Sequence, residues 1–194
     1  MNNYLEEEID VYNEEFQKED LSNQEIKNKT INNCTFNDTN LSSTTYDTVF
    51  FEDVTFTKCD LSNIKFIDCN FKNVQIDNCK LIGTYFNNSR LSKLKITNSL
   101  CKYLNIIDTK MKESCIIDSN LMESNFYNVE FNKIEFNKVD FTSTEFYKTS
   151  LKNIDFSTSI IDGLKITPDC IKGMKVNTLQ ALDLVKVLEI EIVE

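Results

Sequence analysis

Large apolar residues recur at every fifth position over most of this chain. In steps of five from Phe36 to Ile166, every position is apolar when Cys and Tyr are counted. An amphipathic helix repeats at about 3.6 residues and a half-buried strand at about 2 residues. A strict period of five fits neither element, so the pattern predicts a repeat architecture rather than packed helices or hairpins.

A second, smaller residue type repeats two positions before each large one. This phase begins with Cys34 and Thr39, runs to Leu164, and contains no charged residue between those ends. The other three positions of each five are mostly polar and are expected to face water. Cysteines at inward positions behave as small buried hydrophobic residues. We therefore predict a packing role for the cysteines in phase, which are Cys34, Cys59, Cys69, Cys79 and Cys101.

Composition argues against an enzyme. The chain has three glycines, one proline and no histidine, so it lacks the commonest general base and metal ligand. It contains no glycine-rich phosphate loop, nucleophile elbow or cysteine pair with metal-ligand spacing. So few turn-forming residues also argue against a sandwich of hairpins. The expectation is a protein without catalytic activity, cofactor or metal.

The overall charge restricts the partners. With 31 acidic and 21 basic residues, the net charge is -10, which argues against direct binding to nucleic acid or to an anionic membrane surface. No apolar run is long enough to span a membrane, and "MNNYLEEEID" lacks the features of a signal peptide. A cytoplasmic location is predicted. Residues 80–112 are the exception, with seven basic residues against Asp108 alone.

Several five-residue segments match a known repeat closely. The segments "CDLSN" (59–63), "CNFKN" (69–73), "SNLME" (119–123), "SNFYN" (124–128) and "VDFTS" (139–143) resemble the repeat of the pentapeptide-repeat family over about residues 34–166. The resemblance implies an all-β solenoid, a right-handed quadrilateral β-helix in which four pentapeptides make one coil and residues 20 apart stack. About seven coils are expected from this segment.

The two ends depart from the pattern. Residues 1–33 keep the large apolar residues at every fifth position, which we call the large phase. The positions of the smaller residues, the small phase, are occupied there by Glu14, Glu19, Gln24 and Lys29, which predicts an irregular first coil or cap. In 167–194, Pro168 and Gly173 break the period. We predict a cap there, then a short helix that begins at Asn177 or Thr178, and a strand-like tail "EIEIVE".

The apolar residues of this helix occupy more than one stripe. Two interpretations stay open: the helix only plugs the end of the coil, or one face plugs it and another pairs with a second chain. The resemblance favours the second, because related proteins commonly form homodimers through a C-terminal helix. The candidate dimerisation residues are Leu179, Leu182, Leu184, Val185, Val187 and Leu188.

The resemblance also implies a function. The acidic rod is similar to the quinolone-resistance and DNA gyrase-inhibiting subgroup, in which the rod mimics DNA and binds DNA gyrase or topoisomerase IV. Because the phase is unbroken from 36 to 166, the chain resembles the loopless Gram-positive or mycobacterial members. Inhibition or partial fluoroquinolone resistance is expected. The candidate partner-binding acids are Asp118, Glu123, Glu130, Glu135, Asp140, Glu145 and Asp155.

An alternative function is that of a general protein-interaction scaffold with an unrelated partner. Its support is an outward column at 20-residue spacing that contains several exposed apolar side chains. The column consists of Asp47, Ile67, Asn87, Ile107, Tyr127 and Tyr147.

Overall fold

The computed structural model describes residues 10–185 and 187. The described chain forms a parallel β-solenoid of about 8 turns that ends in a short helix, which confirms the predicted quadrilateral β-helix. We number the coils in steps of 20 residues, so that coil 1 is 10–29, coil 7 is 130–149 and coil 8 is 150–169. Among the described residues, no helix is long and apolar enough to cross a membrane.

The strands are short and regularly spaced. In chain order they are β1 (Val11–Tyr12), β2 (Glu15–Gln17), β3 (Glu25–Lys27), β4 (Thr30–Asn32), β5 (Thr35–Asn37), β6 (Thr45–Asp47), β7 (Phe50–Glu52), β8 (Thr55–Thr57), β9 (Lys65–Ile67), β10 (Asn70–Lys72), β11 (Gln75–Asp77), β12 (Tyr85–Asn87), β13 (Arg90–Ser92), β14 (Lys95–Thr97), β15 (Asn105–Ile107), β16 (Lys110–Lys112), β17 (Cys115–Ile117), β18 (Asn125–Tyr127), β19 (Glu130–Asn132), β20 (Glu135–Asn137), β21 (Glu145–Tyr147) and β22 (Lys165–Ile166). The helices are α1 (Pro168–Ile171) and α2 (Thr178–Val185).

Four faces run along the solenoid. The first face is the sheet β1-β4-β7-β10-β13-β16-β19, and the second is β2-β5-β8-β11-β14-β17-β20. The third face is a row of single parallel bridges from Asp20↔Asn40 to Asp140↔Ile160. The fourth is the sheet from β3 to β22. All partners lie 20 residues apart, as in Phe36↔Phe56 and Phe86↔Ile106, so each coil contains four five-residue sides.

The five-residue period follows from the backbone. In a typical strand the central residue is buried and its two neighbours face outwards, and a corner follows two residues after the buried one. From 13 to 153 every such corner residue has a positive φ, and Gly83 is the only glycine among these corner residues. Asn and Asp tolerate this left-handed conformation and occupy many of the corners. Thr48 and Tyr103 also adopt it, although threonine and tyrosine rarely do so in proteins. Left-handed non-glycine corners therefore explain how a glycine-poor chain turns so often.

The two inward phases pack in different ways. The large phase stacks along the axis, as in Phe51 and Phe71, whose ring centroids lie 4.7 Å apart. Hydroxyls and thiols of the small phase donate hydrogen bonds to main-chain carbonyls of the preceding coil, as from Thr84 Oγ1 to Leu61 O at 2.7 Å. Burial raises the pKa of the Cys69 thiol to about 12, and of the Cys101 thiol to about 12. These cysteines are buried, free and protonated at neutral pH.

The regular coil begins earlier than the sequence pattern indicates. Val11 pairs with Ile31, and β2 pairs with β5, in the same 20-residue register as the later coils. The described part of 1–33 is therefore a regular coil, because the large phase alone supplies the stacked core there. This coil raises the number of turns from the expected seven to about 8. Residues 1–9 of the predicted cap lie outside the described residues.

Helix α2 covers the other end through a buried amide. Asn177 and Gln180 form the reciprocal hydrogen bonds of a capping box, N to Oε1 at 2.9 Å and N to Oδ1 at 3.0 Å. Gln180 Nε2 also donates to the carbonyls of Phe156 (2.9 Å) and Ser159 (2.7 Å). Main-chain groups at the open end of coil 8 are thus paired, as a solenoid end requires. The strand-like tail lies outside the described residues.

Candidate interaction surfaces

The structure distributes the seven predicted partner-binding acids over all four faces. Asp118, Glu135 and Asp155 belong to the second face or its corner, and Glu123 and Asp140 belong to the third. Glu130 lies on the first face. Glu145 lies on the fourth. Five of the acids therefore share one region, and two do not.

We define the acidic surface as the second and third faces of coils 6 to 8. It carries six carboxylates against one lysine, Lys138, which lies 3.9 Å from Asp118. Asp140 Oδ1 accepts a hydrogen bond from Thr142 N at 3.0 Å. Asp155 Oδ1 accepts one from Ser157 N at 2.8 Å, and hydrogen bonds from the side chain and the main chain of Ser157 lower the pKa of Asp155. The six carboxylates are Asp118, Glu123, Glu135, Asp140, Asp155 and Asp162.

The first face has the opposite charge from coil 4 onwards. Arg90 and Lys110 are direct neighbours in the parallel register, an unfavourable pair of like charges. Only part of this charge is neutralised, since Lys110 Nζ lies 2.9 Å from Glu130 and Lys133 Nζ lies 3.5 Å from Glu113. The rod is therefore not uniformly acidic. The basic residues on this face are Lys72, Arg90, Lys93, Lys110, Lys112, Lys133 and Lys152.

The ladder of hydrogen bonds is interrupted between coils 7 and 8 on two faces. On the third face Phe141 N donates to Ile160 O at 2.8 Å, and on the fourth face β21 pairs with β22. On the first face, β19 is the last strand, and no main-chain hydrogen bond joins 130–133 to 150–153 in the described chain. On the second face β20 is likewise last. We call this region the coil 7–8 junction.

A change in backbone conformation accounts for the interruption. On the first face of coil 8 the strand of the preceding coils is replaced by a turn at Lys152 and Asn153, and Thr158 lacks the positive φ of the other corners. A turn cannot continue the ladder of a parallel strand. Phe131 and Ile134 consequently stay partly exposed, whereas the corresponding inward residues of coils 2 to 6 are all buried.

A cleft of ≈ 660 Å³ opens at the junction on the first face. Its lining includes four lysines, Lys110, Lys112, Lys148 and Lys152, together with Glu130 and Phe131. Sequence reasoning did not find this cleft. The 20-residue register places Lys112 and Lys152 on one face, but the five-residue pattern through 131–151 is unbroken and gives no sign of the altered backbone.

The outward column of the alternative hypothesis is continuous on the fourth face. Ile107 pairs with Tyr127, and Tyr127 with Tyr147. The two tyrosine rings stack at 5.2 Å and are 39% and 40% exposed. Lys148 Nζ lies 5.6 Å from the centroid of each ring. The column thus ends in an exposed aromatic pair that the Lys148 ammonium group contacts.

The candidate dimerisation residues separate onto two sides of α2. Leu184 packs against the core, and Leu184 and Val187 line a pocket over 161–164. Leu179 and Leu182 are 75% and 49% exposed. Val185 is partly buried, and Leu188 lies outside the described residues. One side of the helix covers coil 8, and the other presents two leucines to solvent.

Comparisons with known proteins agree with this architecture. Two family models match the sequence: the pentapeptide repeat region over residues 29–106 and pentapeptide repeats (8 copies) over 119–157. No curated protein matches it.

Solved structures of similar proteins include QnrB1, a plasmid-mediated fluoroquinolone resistance protein. A trypsin-treated variant of it is 18% identical, covers 94% of this chain and 99% of its own, and has a TM-score of 0.44. HetL, a pentapeptide repeat protein involved in heterocyst differentiation regulation in the cyanobacterium Nostoc sp. strain PCC 7120, is 10% identical over 87% of this chain and 88% of its own, with a TM-score of 0.40. The two family models together cover more than half of the sequence, so this chain belongs to the pentapeptide-repeat family.

Proposed function

We propose that this protein is a non-enzymatic, cytoplasmic interaction rod that binds DNA gyrase or topoisomerase IV in place of DNA. In this proposal it inhibits the enzyme or gives partial fluoroquinolone resistance, and it acts as a homodimer joined through α2. The observation that carries the proposal is the acidic surface, with six carboxylates against one lysine on two adjacent faces beside α2.

The charge and geometry of this surface suit a cationic DNA-binding groove. Three coils at a strand spacing of about 4.8 Å extend the surface along the rod axis. Two copies related by a two-fold axis at α2 would present it twice, once on each side of that axis. Complementary charge would steer the encounter and orient the rod. The basic first face would then point away from the enzyme, since a cationic groove repels it.

A supercoiling assay with purified gyrase tests the partner. The variant Glu135→Gln/Asp140→Asn/Asp155→Asn removes three charges, and asparagine keeps the carbonyl oxygen that accepts the turn hydrogen bonds. The control Glu15→Gln/Asp38→Asn/Asp60→Asn removes three acids from the same two faces in coils 1 to 3. We expect the first variant to weaken inhibition at least about tenfold, at roughly 0.5 kcal/mol or more per lost contact, and the control to change it little.

Equal inhibition by the wild type and both variants would contradict the acidic surface as the binding site. Absence of any effect of the wild-type protein on gyrase and topoisomerase IV would contradict the partner itself.

Substitutions on the exposed side of α2 test the proposed homodimer. Leu179→Asp/Leu182→Asp places two charges on that side and leaves Leu184 against coil 8. We expect the mass measured by light scattering to fall from two chains to one. Ile160→Asp is a matched control, because Ile160 is 51% exposed on the third face. A wild-type protein that is already monomeric would contradict the dimer.

A second candidate is an interaction scaffold that uses Tyr127 and Tyr147. The stacked, exposed pair favours it, since aromatic side chains are enriched in protein interfaces. A salt series separates the two functions. Binding through the acidic surface should weaken steeply as salt rises, whereas binding through the tyrosines should persist and be lost in Tyr127→Ala/Tyr147→Ala.

A further inference from the structure

The cleft on the first face combines several cations with little compensating charge. Lys110 Nζ is paired with Glu130 at 2.9 Å. Lys112 Nζ has a weaker contact with Glu113, at 3.9 Å. Lys152 forms no ion pair within the described residues. The lining therefore keeps an excess of positive charge in a protein whose net charge is -10.

The fourth cation, Lys148, is held at the edge of the cleft. Its Nζ lies 5.6 Å from the ring centroids of Tyr127 and Tyr147 and donates to Tyr127 Oη at 3.5 Å. Such contacts orient an ammonium group without neutralising it. Its charge stays available to an anion in the cleft.

The interrupted ladder adds a main-chain donor. In the preceding coils the corresponding N–H groups donate to the next coil, as Lys93 N does to Lys112 O and Glu113 N does to Asn132 O, both at 2.9 Å. Lys133 N has no main-chain acceptor of this kind in the described chain. Lys133 directly follows β19, so this N–H group lies at the end of the edge strand whose residues Glu130, Phe131 and Asn132 line the cleft. Anion-binding concavities in proteins commonly combine such groups with cations.

We propose that this cleft binds a small polyanion of the oligophosphate class, which enters between coils 7 and 8 on the first face. Lysine is a common point-charge partner of phosphate. Lys112 and Lys152 lie on coils two steps apart, about 10 Å along the axis. A single phosphate reaches one wall, whereas two or three linked phosphates span both. The cavity volume, ≈ 660 Å³, lies within the range of small-molecule sites.

This site is independent of the proposed topoisomerase function. It lies on the first face, while the acidic surface lies on the second and third faces, so the two can fail separately. The ligand is either a free oligophosphate or the phosphate chain of a nucleotide, and the two probes below distinguish these sources.

Isothermal titration calorimetry with the purified protein tests the site, with tripolyphosphate and with ATP at about 50 mM salt, where screening is weak. We expect saturable binding with Kd below about 1 mM, and a loss of at least about tenfold in Lys112→Gln/Lys152→Gln. The control Arg90→Gln/Lys93→Gln removes the same charge from the same face outside the cleft. It should weaken binding less than about threefold.

ATP binding more than about tenfold tighter than tripolyphosphate assigns a nucleotide, and similar affinities assign a free oligophosphate. Either result, with the loss confined to the cleft variant, supports the site. Lack of saturable binding of both probes overturns it. An equal loss in the cleft variant and the control also overturns it, because it would show general attraction to a basic face. Circular dichroism of both variants verifies that the exposed substitutions leave the fold intact.

Discussion

The middle of the rod and the coil 7–8 junction contain the same kind of residues and differ in structure. In coils 3 and 4, Phe51, Phe66, Phe71 and Phe86 form an interlocked cluster, with stacked and T-shaped ring pairs between 4.7 and 5.7 Å apart. At the junction, Phe131 meets Phe126 at 6.0 Å and stays partly exposed. The ladder is complete on all faces in the first region and interrupted on two faces in the second.

The difference shows that in-phase phenylalanines do not ensure a closed coil. A coil is closed when each of its sides adopts the same conformation as the side before it, because a parallel ladder requires matching backbones. Where one side changes from strand to turn, the core loosens and a cleft opens. In a solenoid each coil contacts only its neighbours, so such a change disturbs one interface and leaves the others intact.

The largest expected effect comes from removing one ring in each region. Phe71→Ala deletes a fully buried ring and should lower the free energy of unfolding by about 4 kcal/mol. Phe131→Ala should lower it by about 2 kcal/mol or less, because the ring is already partly exposed. Urea denaturation measures both. Equal losses would show that the junction is packed as tightly as the middle of the rod.

The cap on coil 8 should contribute less than a core ring. Gln180→Ala removes the donor to Phe156 O and Ser159 O and one half of the capping box. Two buried acceptors lose their partner, so we expect a loss of about 2 kcal/mol in stability. The exposed neighbour Thr178→Ala is the control and should cost much less. Thermal unfolding with hydrogen exchange at 156–159 measures the effect, and unchanged protection there would contradict the capping role.

Substitutions at two corners distinguish the regular backbone of the early coils from the altered backbone at the coil 7–8 junction. Thr48 is a β-branched residue at φ 57, and Thr48→Asn should stabilise the protein by about 1 kcal/mol because Asn tolerates the left-handed region. Thr158 occupies the second-face corner of coil 8 without a positive φ, and its Oγ1 accepts from Lys138 N at 3.2 Å. Thr158→Asn should therefore give no gain. A similar gain at both positions would argue against a changed backbone at the junction.

Thiol labelling compares the cysteines of the two regions without any substitution. Cys115 is the one partly exposed cysteine among the seven. Burial raises the pKa of its thiol as well as those of Cys69 and Cys101, so accessibility to the reagent is what distinguishes it. Iodoacetamide at neutral pH should label Cys115 first, at least about 100-fold faster than the buried cysteines, because a buried thiol reacts only after the structure around it opens. Cys170, next to coil 8, should follow if the junction opens locally. Labelling of Cys69 before Cys170 would contradict the expectation that the middle of the rod opens less readily than the region around coil 8.

Much of the fold could be predicted from the two phases of the pattern. Phe36 and Cys34 are both inward because an apolar residue at every fifth position is compatible with few backbones. The structure differs from the predicted irregular first coil because, although Glu14 and Glu19 break the small phase, Val11 and Phe16 alone suffice to stack on the next coil. Five of the seven predicted acids fall on the acidic surface. Glu130 and Glu145 do not, because neighbouring acids in sequence point to different faces once the chain turns every five residues.

The sequence by itself determined the period and the inward residues, since these depend on side-chain polarity repeated along the chain, whereas the 20-residue register was implied by the resemblance to the pentapeptide-repeat family. It also placed the excess of lysine in the middle of the chain. Only the tertiary structure decided that Leu184 packs on coil 8 while Leu179 faces solvent, and that β19 lacks a following strand. The first depends on which side of α2 meets coil 8. The second depends on the backbone conformation at the coil 7–8 junction, where strand and turn place Leu151 equally well in the core. The pattern of polarity is the same in either case, so it cannot distinguish them.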